Sequence, residues 1–425
     1  MRNDKYMDIL NETNKFFSGA LFFIFSTSLW SQNTPSLNEC LTNIENHHIG
    51  NKVLNLGSCN ITDEDIHFIS QYIESKDFSV VFLDNNKITS KGAALLATNG
   101  SITCLFLSYN QIDDEGLILL AQNKLINWLA IDSNPVGDLG IMALAHVANL
   151  HTLSIGNGNY SHESFIYLIQ NSALDHLEIN DIQITQDEAQ ALSQNSHINF
   201  LQLDGVSVAA EDLTRISTMP SIELFNLIRS TMGDVAAEAF SANSPATILQ
   251  FFSAPLSKRG YIALSTMTNL SELTISGYGE PTENPITSEY IQLINKLPAL
   301  KKMTVLDASM SDEAVMEIAK NSTITQLWLY ETYISDQGAV SLANNTIINW
   351  LVLAGNNIHD EGAIALSKNT SLIHLDITRN PVGHEGKMAL KSSTIKSLLM
   401  DDDLFKKSLG RPFNIPLVNM IISQK

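Results

Sequence analysis

"NNKITSKGAALLATNGSI" (Asn85 to Ile102) and "GNNIHDEGAIALSKNTSL" (Gly355 to Leu372) carry nearly the same message 270 residues apart. Asn86 corresponds to Asn356, Ile88 to Ile358, Gly92 to Gly362 and Leu96 to Leu366. The cause is a period. With the first apolar residue of each LxL triplet as position zero, Val81, Leu105, Leu129, Leu153, Leu177, Leu201, Phe225, Leu249 and Leu273 succeed one another at 24 residues. The series jumps 30 residues to Met303, through six extra residues around "YGEPTENP" (Tyr278 to Pro285), and resumes at 24 with Leu327, Leu351 and Leu375. Leu54 opens the array and Leu398 closes it, making fifteen units. A fixed period of this length marks a solenoid, in which each unit buries its apolar face only against its neighbours.

Each unit divides into a strand and a helix. Positions zero and two are apolar with different neighbours between them, the alternation of a strand with one buried face. Position seven is apolar again (Ile88, Ile112, Val136, Ile184, Ile334, Ile358, Val382), and the Ser, Thr or Asp that often follows suits a helix N-cap. "TQDE" (Thr185 to Glu188) contains a full capping box. Position fifteen, the inward face of a short helix, is apolar from Ile69 and Leu96 through to Leu366 and Leu390.

These residues resemble the leucine-rich repeat family, "LxLxxNxI", in the subclass with convex-side helices typified by ribonuclease inhibitor. The 24-residue unit with "GAxxLA" (Gly92 to Ala97, Gly338 to Ala343) is similar to the GALA-type repeats of bacterial effectors. The resemblance implies an α/β horseshoe of about fifteen repeats, with parallel strands on the concave face and short helices on the convex face. Function does not follow from that fold, which serves unrelated partners. In the family, the repeat Asn ties down the turn after the strand. Here it is present at Asn86, Asn110, Asn134, Asn356 and Asn380, with Cys59 in its place in the first unit. Units five to eleven carry Gly158, Ile182, Val206, Ser230, Ala254, Tyr278 and Ala308 instead, so the middle of the array is expected to be less regular.

The expected organisation is a signal, anchor or extra capping helix over residues 1–31, a capping helix over 32–52, the solenoid over 53–400 and a closing cap over 401–425. "SLNECLTNIENHHIG" (Ser36 to Gly50) has Leu37, Leu41 and Ile44 on one helical face and a capping box at Ser36 and Glu39. "FFSGALFFIFSTSLW" (Phe16 to Trp30) is fifteen residues without charge, short for a membrane span and right for the apolar part of a signal peptide. The acids Asp4, Asp8 and Glu12 among the basic residues before it leave the capping-helix alternative open.

With 45 acidic residues against 25 basic, the net charge of −20 opposes binding to phosphate backbones and favours a protein with a basic surface over nucleic acid. A membrane is a partner only if residues 16–30 act as an anchor. Three cysteines are too few for a disulfide framework. The chain has no GxSxG, P-loop, HExxH or cysteine pair at zinc spacing, and no catalytic residue, metal or cofactor is expected. The NxS/T triplets at Asn99, Asn321 and Asn369 recur with the repeat, which points to turn chemistry rather than glycosylation.

What remains is the concave face, where positions −1, +1 and +3 point away from the core. It carries Phe82, Phe106 and Trp128 at one end, Trp328, Tyr330 and Trp350 at the other, and acids that include Asp84, Asp132 and Asp376. Strands about 4.8 Å apart bring such aromatics together, and aromatic anchors among acids suit a protein partner. Cross-strand packing within the sheet is the competing explanation. The sequence thus reads as a non-enzymatic protein-interaction scaffold. Its resemblance to GALA-type repeats implies a bacterial protein, exported to act on a host. A periplasmic or envelope repeat protein is the alternative, as is a GALA-type ubiquitin-ligase adaptor, although the N-terminal segment lacks the Leu-Pro start and basic-Trp end of an F-box.

Overall fold

The computed structural model describes residues 40, 52–277 and 285–401. Fifteen strands form one parallel sheet in strict chain order. They are β1 (Val53–Asn55), β2 (Val80–Phe82), β3 (Cys104–Phe106), β4 (Trp128–Ala130), β5 (Thr152–Gly156), β6 (His176–Asn180), β7 (Phe200–Asp204) and β8 (Leu224–Ile228), then β9 (Ile248–Phe252), β10 (Glu272–Ser276), β11 (Lys302–Leu306), β12 (Gln326–Tyr330), β13 (Trp350–Val352), β14 (His374–Asp376) and β15 (Ser397–Leu399). A helix joins each strand to the next, from Asp63–Lys76 to His384–Lys391. The ladder register is the sequence period: Val81 lies opposite Leu105, Leu105 opposite Leu129, and Met303 opposite Leu327. The first unit is three residues longer than the period because its helix runs for 14 residues. The capping segments, the apolar stretch before them and all of the insertion except Pro285 fall outside the described residues, apart from Cys40, Lys52 and Asp401 at their edges.

The core lies between sheet and helices as one continuous cluster. Every residue of the position-fifteen column, from Ile69 and Leu96 to Leu366 and Leu390, is at most 2% exposed. Around this core three polar columns stitch the units together, each satisfying backbone groups that a tight turn would strand.

The first column is the family Asn. Asn86 Oδ1 accepts from the Cys59 and Ile61 amides of the preceding unit, while its Nδ2 donates to the carbonyls of Leu56 and Leu83. Asn110, Asn134, Asn356 and Asn380 repeat the pattern. The side-chain amide takes the carbonyl two residues after position zero, and the strand stops there at three residues. In β5 to β12, whose units also lack the Asn, the ladder runs on and the strands have five residues, whereas β1, with Cys59 at that position, keeps three. The middle units, expected to be less regular in curvature, differ from the others in strand length. In the fifth unit, the Tyr160 ring takes the room that an Asn side chain would fill. A Cβ on Gly158 would lie 2.3 Å from that ring, so the glycine is what admits it.

The second column is an Asn in the turn before the strand. Asn99, Asn321 and Asn369 are 2%, 5% and 6% exposed. Their Nδ2 groups donate to Ser70, to Asn295 and to the Ala343 and Asn345 carbonyls. An amide so engaged cannot accept a glycan, in agreement with the turn-chemistry reading.

The third column is an Asp at the start of one helix that caps the next. Asp63 accepts from the Thr89 and Gly92 amides, Asp114 from Gly137 and Gly140, Asp234 from Ser257 and Gly260, and Asp336 from His359 and Gly362. A carboxylate on the free N–H groups of a helix start is favourable by hydrogen bonding and by the helix dipole. This column also explains the repeat glycine. A Cβ on Gly92 would meet Asp63 Oδ1 at 2.6 Å, and one on Gly362 would meet Asp336 Oδ1 at 2.7 Å.

Candidate partner-binding face

Positions −1, +1 and +3 of the strands form three columns across the concave face, and the fourth residue after position zero turns the chain out of the sheet. That fourth residue is left-handed in every described unit from Ser58 to Arg379 except at Gly277. The period places these residues on the rim, but nothing in their residue types (Ser, Asn, Tyr, Asp, Arg and Glu among them) announces the conformation.

At the N-terminal end the expected aromatic cluster is a continuous stack. Phe82 and Phe106 lie face to face at 4.3 Å, and Phe106 meets Trp128 edge-on at 5.1 Å. Phe106 is 2% exposed, so much of this stack braces the sheet. At the far end the expected trio divides. Trp350 stacks on His374 of the next strand at 4.0 Å. Trp328 lies under the Lys302 ammonium, and Tyr330 under the Arg379 guanidinium, each at 5.4 Å. Trp350 sits at position −1 and Trp328 at +1, so in register they oppose His374 and Val352 respectively. The indole N–H groups of Trp128 and Trp350 are buried and meet no acceptor.

The acids are placed differently from the expectation of a charged surround. Asp132 is 5% exposed and accepts from the Ser108 and Ser154 hydroxyls and the Asn180 amide. Asp376 is 1% exposed and accepts from the Thr378 amide and hydroxyl. Burial pushes both carboxyls above their usual range. Asp84 accepts from the Ser108 amide, and burial, with Asp132 nearby, pushes it up to about 7. Asp132 and Asp376 are internal hydrogen-bond hubs, not exposed steering charges. Asp132 draws its donors from units one and two strands away, whereas Asp376 draws both from Thr378 in its own turn.

Three features of the face were missed in the sequence. Phe200, Leu224 and Ile248 form a buried apolar belt at position −1, with His176 stacked on Phe200 at 5.2 Å. His374 is 2% exposed, its Nδ1 2.9 Å from the Ser397 hydroxyl. Both could have been found by aligning position −1 through the period. A cleft of about 240 Å³ opens beside the fifth and sixth units, lined by Tyr160, His162, Asp181 and Glu188 among others. Glu188 caps its own helix through Thr185 and also holds His162 Nδ1 at 2.9 Å. Among the described residues there is no group of three or more metal-ligating side chains, and no helix is long and apolar enough to cross a membrane.

A fourth feature joins the solenoid to what precedes it. Cys40, helical and buried, is disulfide-bonded to Cys59. Cys59 therefore does more than stand in for the repeat Asn. Cys104 remains a free thiol, partly buried and pushed up to about 11 by burial.

A family model described as "Leucine Rich repeat" matches residues 52–69, 98–121, 344–367 and 368–391. All four matches lie outside the five-residue strands of the middle. With the register of the sheet, they identify the array as leucine-rich repeats. Among solved structures, the chain is similar to an internalin (inlF) from Listeria monocytogenes. That match has 18% identity and a TM-score of 0.43, covering 88% of this chain and 99% of the other. It is also similar to TLR13 in a complex with ssRNA13, at 15% identity and a TM-score of 0.43, covering 77% of this chain and 57% of that one. No curated protein matches.

Proposed function

We propose that this leucine-rich repeat solenoid is a non-enzymatic scaffold that binds a protein partner on its concave face, anchored on Trp128 and Trp350. The observation that carries the reading is the pair of indole N–H groups, each held in an ordered stack with no acceptor among the described residues. Buried indoles ordinarily find one, and a partner carbonyl or carboxylate would supply it. Phe82 and Phe106 extend the first anchor, with Asp84 beside them. Trp328 and Tyr330, with their stacked cations, border the second. Asp132 and Asp376 hold the frame. The partner has a basic surface, attracted by the net charge of −20 as a whole.

Export from a bacterium fits the Cys40–Cys59 bond, because disulfides persist in oxidising compartments and are rare in reducing ones. The same bond favours a periplasmic or envelope protein over an effector working in a reducing host cytosol. Thiol labelling in denaturant of protein recovered from its native cell separates these settings: one labelled cysteine means export, three mean a reducing compartment.

For the binding face, Trp128→Ala and Trp350→Ala should each raise the dissociation rate of the partner, by about 2 kcal/mol or more if they are hot spots. A partner that holds both variants as tightly as the parent removes the proposal and leaves sheet packing as the role of the aromatics.

A further inference from the structure

Among the described residues, four buried oxygen atoms on β6 and β8 meet no hydrogen-bond donor: both carboxyl oxygens of Glu178, Oδ1 of Asn180 and Oδ1 of Asn226. Glu178 and Asn226 are 0% exposed and Asn180 is 7% exposed. Their orientations are fixed from the other side. Asn180 turns its Nδ2 to Asp132 and to the Ser154 hydroxyl, and Asn226 turns its Nδ2 to Gln202 Oε1 at 2.9 Å. The Ser154 hydroxyl also lies beside Glu178 and acts to lower its pKa, but it points its proton at Asp132. Buried polar atoms are nearly always paired, and an orphan is a reason to look for a missing group. Each of these orphans is an oxygen, and with Glu178 ionised all four are acceptors. The local charge is also one-sided, with Asp132 and Asp204 acting on Glu178. Arg229, the cation nearby, is engaged by Asp181 and Asp204.

The missing group is therefore a positive, multiple donor. We propose that the concave face over β6 to β8 is a receptor for an arginine side chain of the protein partner. Its guanidinium makes two parallel bonds to the Glu178 carboxylate and a further bond to Asn180 Oδ1. This rests on the concave-face reading above and gives that partner a chemical requirement. Two carboxyl oxygens without donors, beside an amide oxygen, match the planar fork of arginine better than the point charge of lysine. Glu178 is shut off from solvent in the unbound chain, so the guanidinium enters by displacing the side chains over it. Burial and the Asp132 charge hold the unbound Glu178 carboxyl well above its usual range. The arriving cation stabilises the carboxylate and lowers its pKa, so binding strengthens as pH rises through the range in which the unbound group titrates.

The test uses the full chain and three peptides: triarginine, trilysine and tricitrulline. The expected result is at least tenfold tighter binding of triarginine than of trilysine, with tricitrulline weakest. Glu178→Gln should abolish the arginine preference without lowering the unfolding midpoint, since the amide keeps the shape of the neutral acid. Equal affinity for triarginine and trilysine, or a preference that survives Glu178→Gln, overturns the inference. Should that variant fail to fold, calorimetry of the parent in two buffers of different ionisation enthalpy decides instead. Proton release on binding triarginine that exceeds release on binding trilysine supports the site, and equal heats of binding for the two peptides in both buffers overturn it. A partner that depends on Trp128 and Trp350 but ignores Glu178→Gln removes this inference alone. Loss of the tryptophan dependence removes the reading beneath it.

Discussion

Arg229 and Asp181 lie 48 residues apart in the chain and 3.0 Å apart in space, joined across the unit that separates them by the bare backbone of Gly205. The arrangement recurs where Arg379 reaches Glu331 past Gly355. In both places the intervening residue is a left-handed glycine, at φ +63 and +71.

Gly205→Ala should lower stability by about 1–3 kcal/mol, from left-handed strain and from a Cβ placed 2.2 Å from Asp181 Oδ1. Gly100→Ala is the control, because its Cβ would meet nothing nearer than 4.0 Å. Denaturant midpoints that fall equally for both would show that the bridge does not constrain Gly205.

Leu120→Ala and Leu342→Ala should each cost about 2–5 kcal/mol, because both side chains are 2% exposed and anchor a helix to the sheet. Unfolding curves unchanged by either substitution would place the core on the wrong side of the helices.

The Cys40–Cys59 bond closes a separation of 19 residues. A loop of that order is worth about 3 kcal/mol through the unfolded chain. Cys59→Ser should therefore lower the thermal midpoint, and a reductant should lower that of the parent but not that of the variant. A parent indifferent to reductant would mean that the bond contributes nothing.

His374 gives the stability curve a defined slope. Burial lowers its pKa from 6.5 to about 4. As pH falls through 6.5 the unfolded chain takes up a proton that the folded chain refuses until about 4. The stabilisation is complete above 6.5 and is lost as pH falls through that window. Between pH 7 and pH 5 the loss comes to about 2 kcal/mol. His374→Gln should remove that part of the slope in denaturant titrations at the two pH values. An unchanged slope would mean that the imidazole takes up its proton equally in both states.

Much of this architecture was legible because a solenoid writes its core into its period. Leu96 and Leu366 answer each other in the sequence since both fill the same place between sheet and helix. The Trp128 stack was legible for the same reason, from register alone. Other features depend on how far a particular side chain reaches. Nothing in the spacing of Gly158 and Tyr160 says that the ring fills the place of the missing Asn, and nothing in the LxL pattern says that Glu178 lies flat and unpaired. The burial of Asp132 follows from short donors within reach, Ser108 and Ser154 in the units on either side and Asn180 two units on. Cys40 and Cys59 meet through a fold that neither cysteine predicts.

The carboxylate that starts one helix and caps the next gives the array a direction. Asp63 serves Thr89 and Gly92, Asp336 serves His359 and Gly362, and Asp360 serves Gly386. Each of these bonds runs from an earlier unit to a later one. A ribosome delivers the units in that same order, so each helix so served emerges to find its cap already made. Deletions are correspondingly unequal: trimming from the C-terminal side leaves an Asp with nothing to hold, whereas trimming from the N-terminal side leaves a helix start without its acceptor.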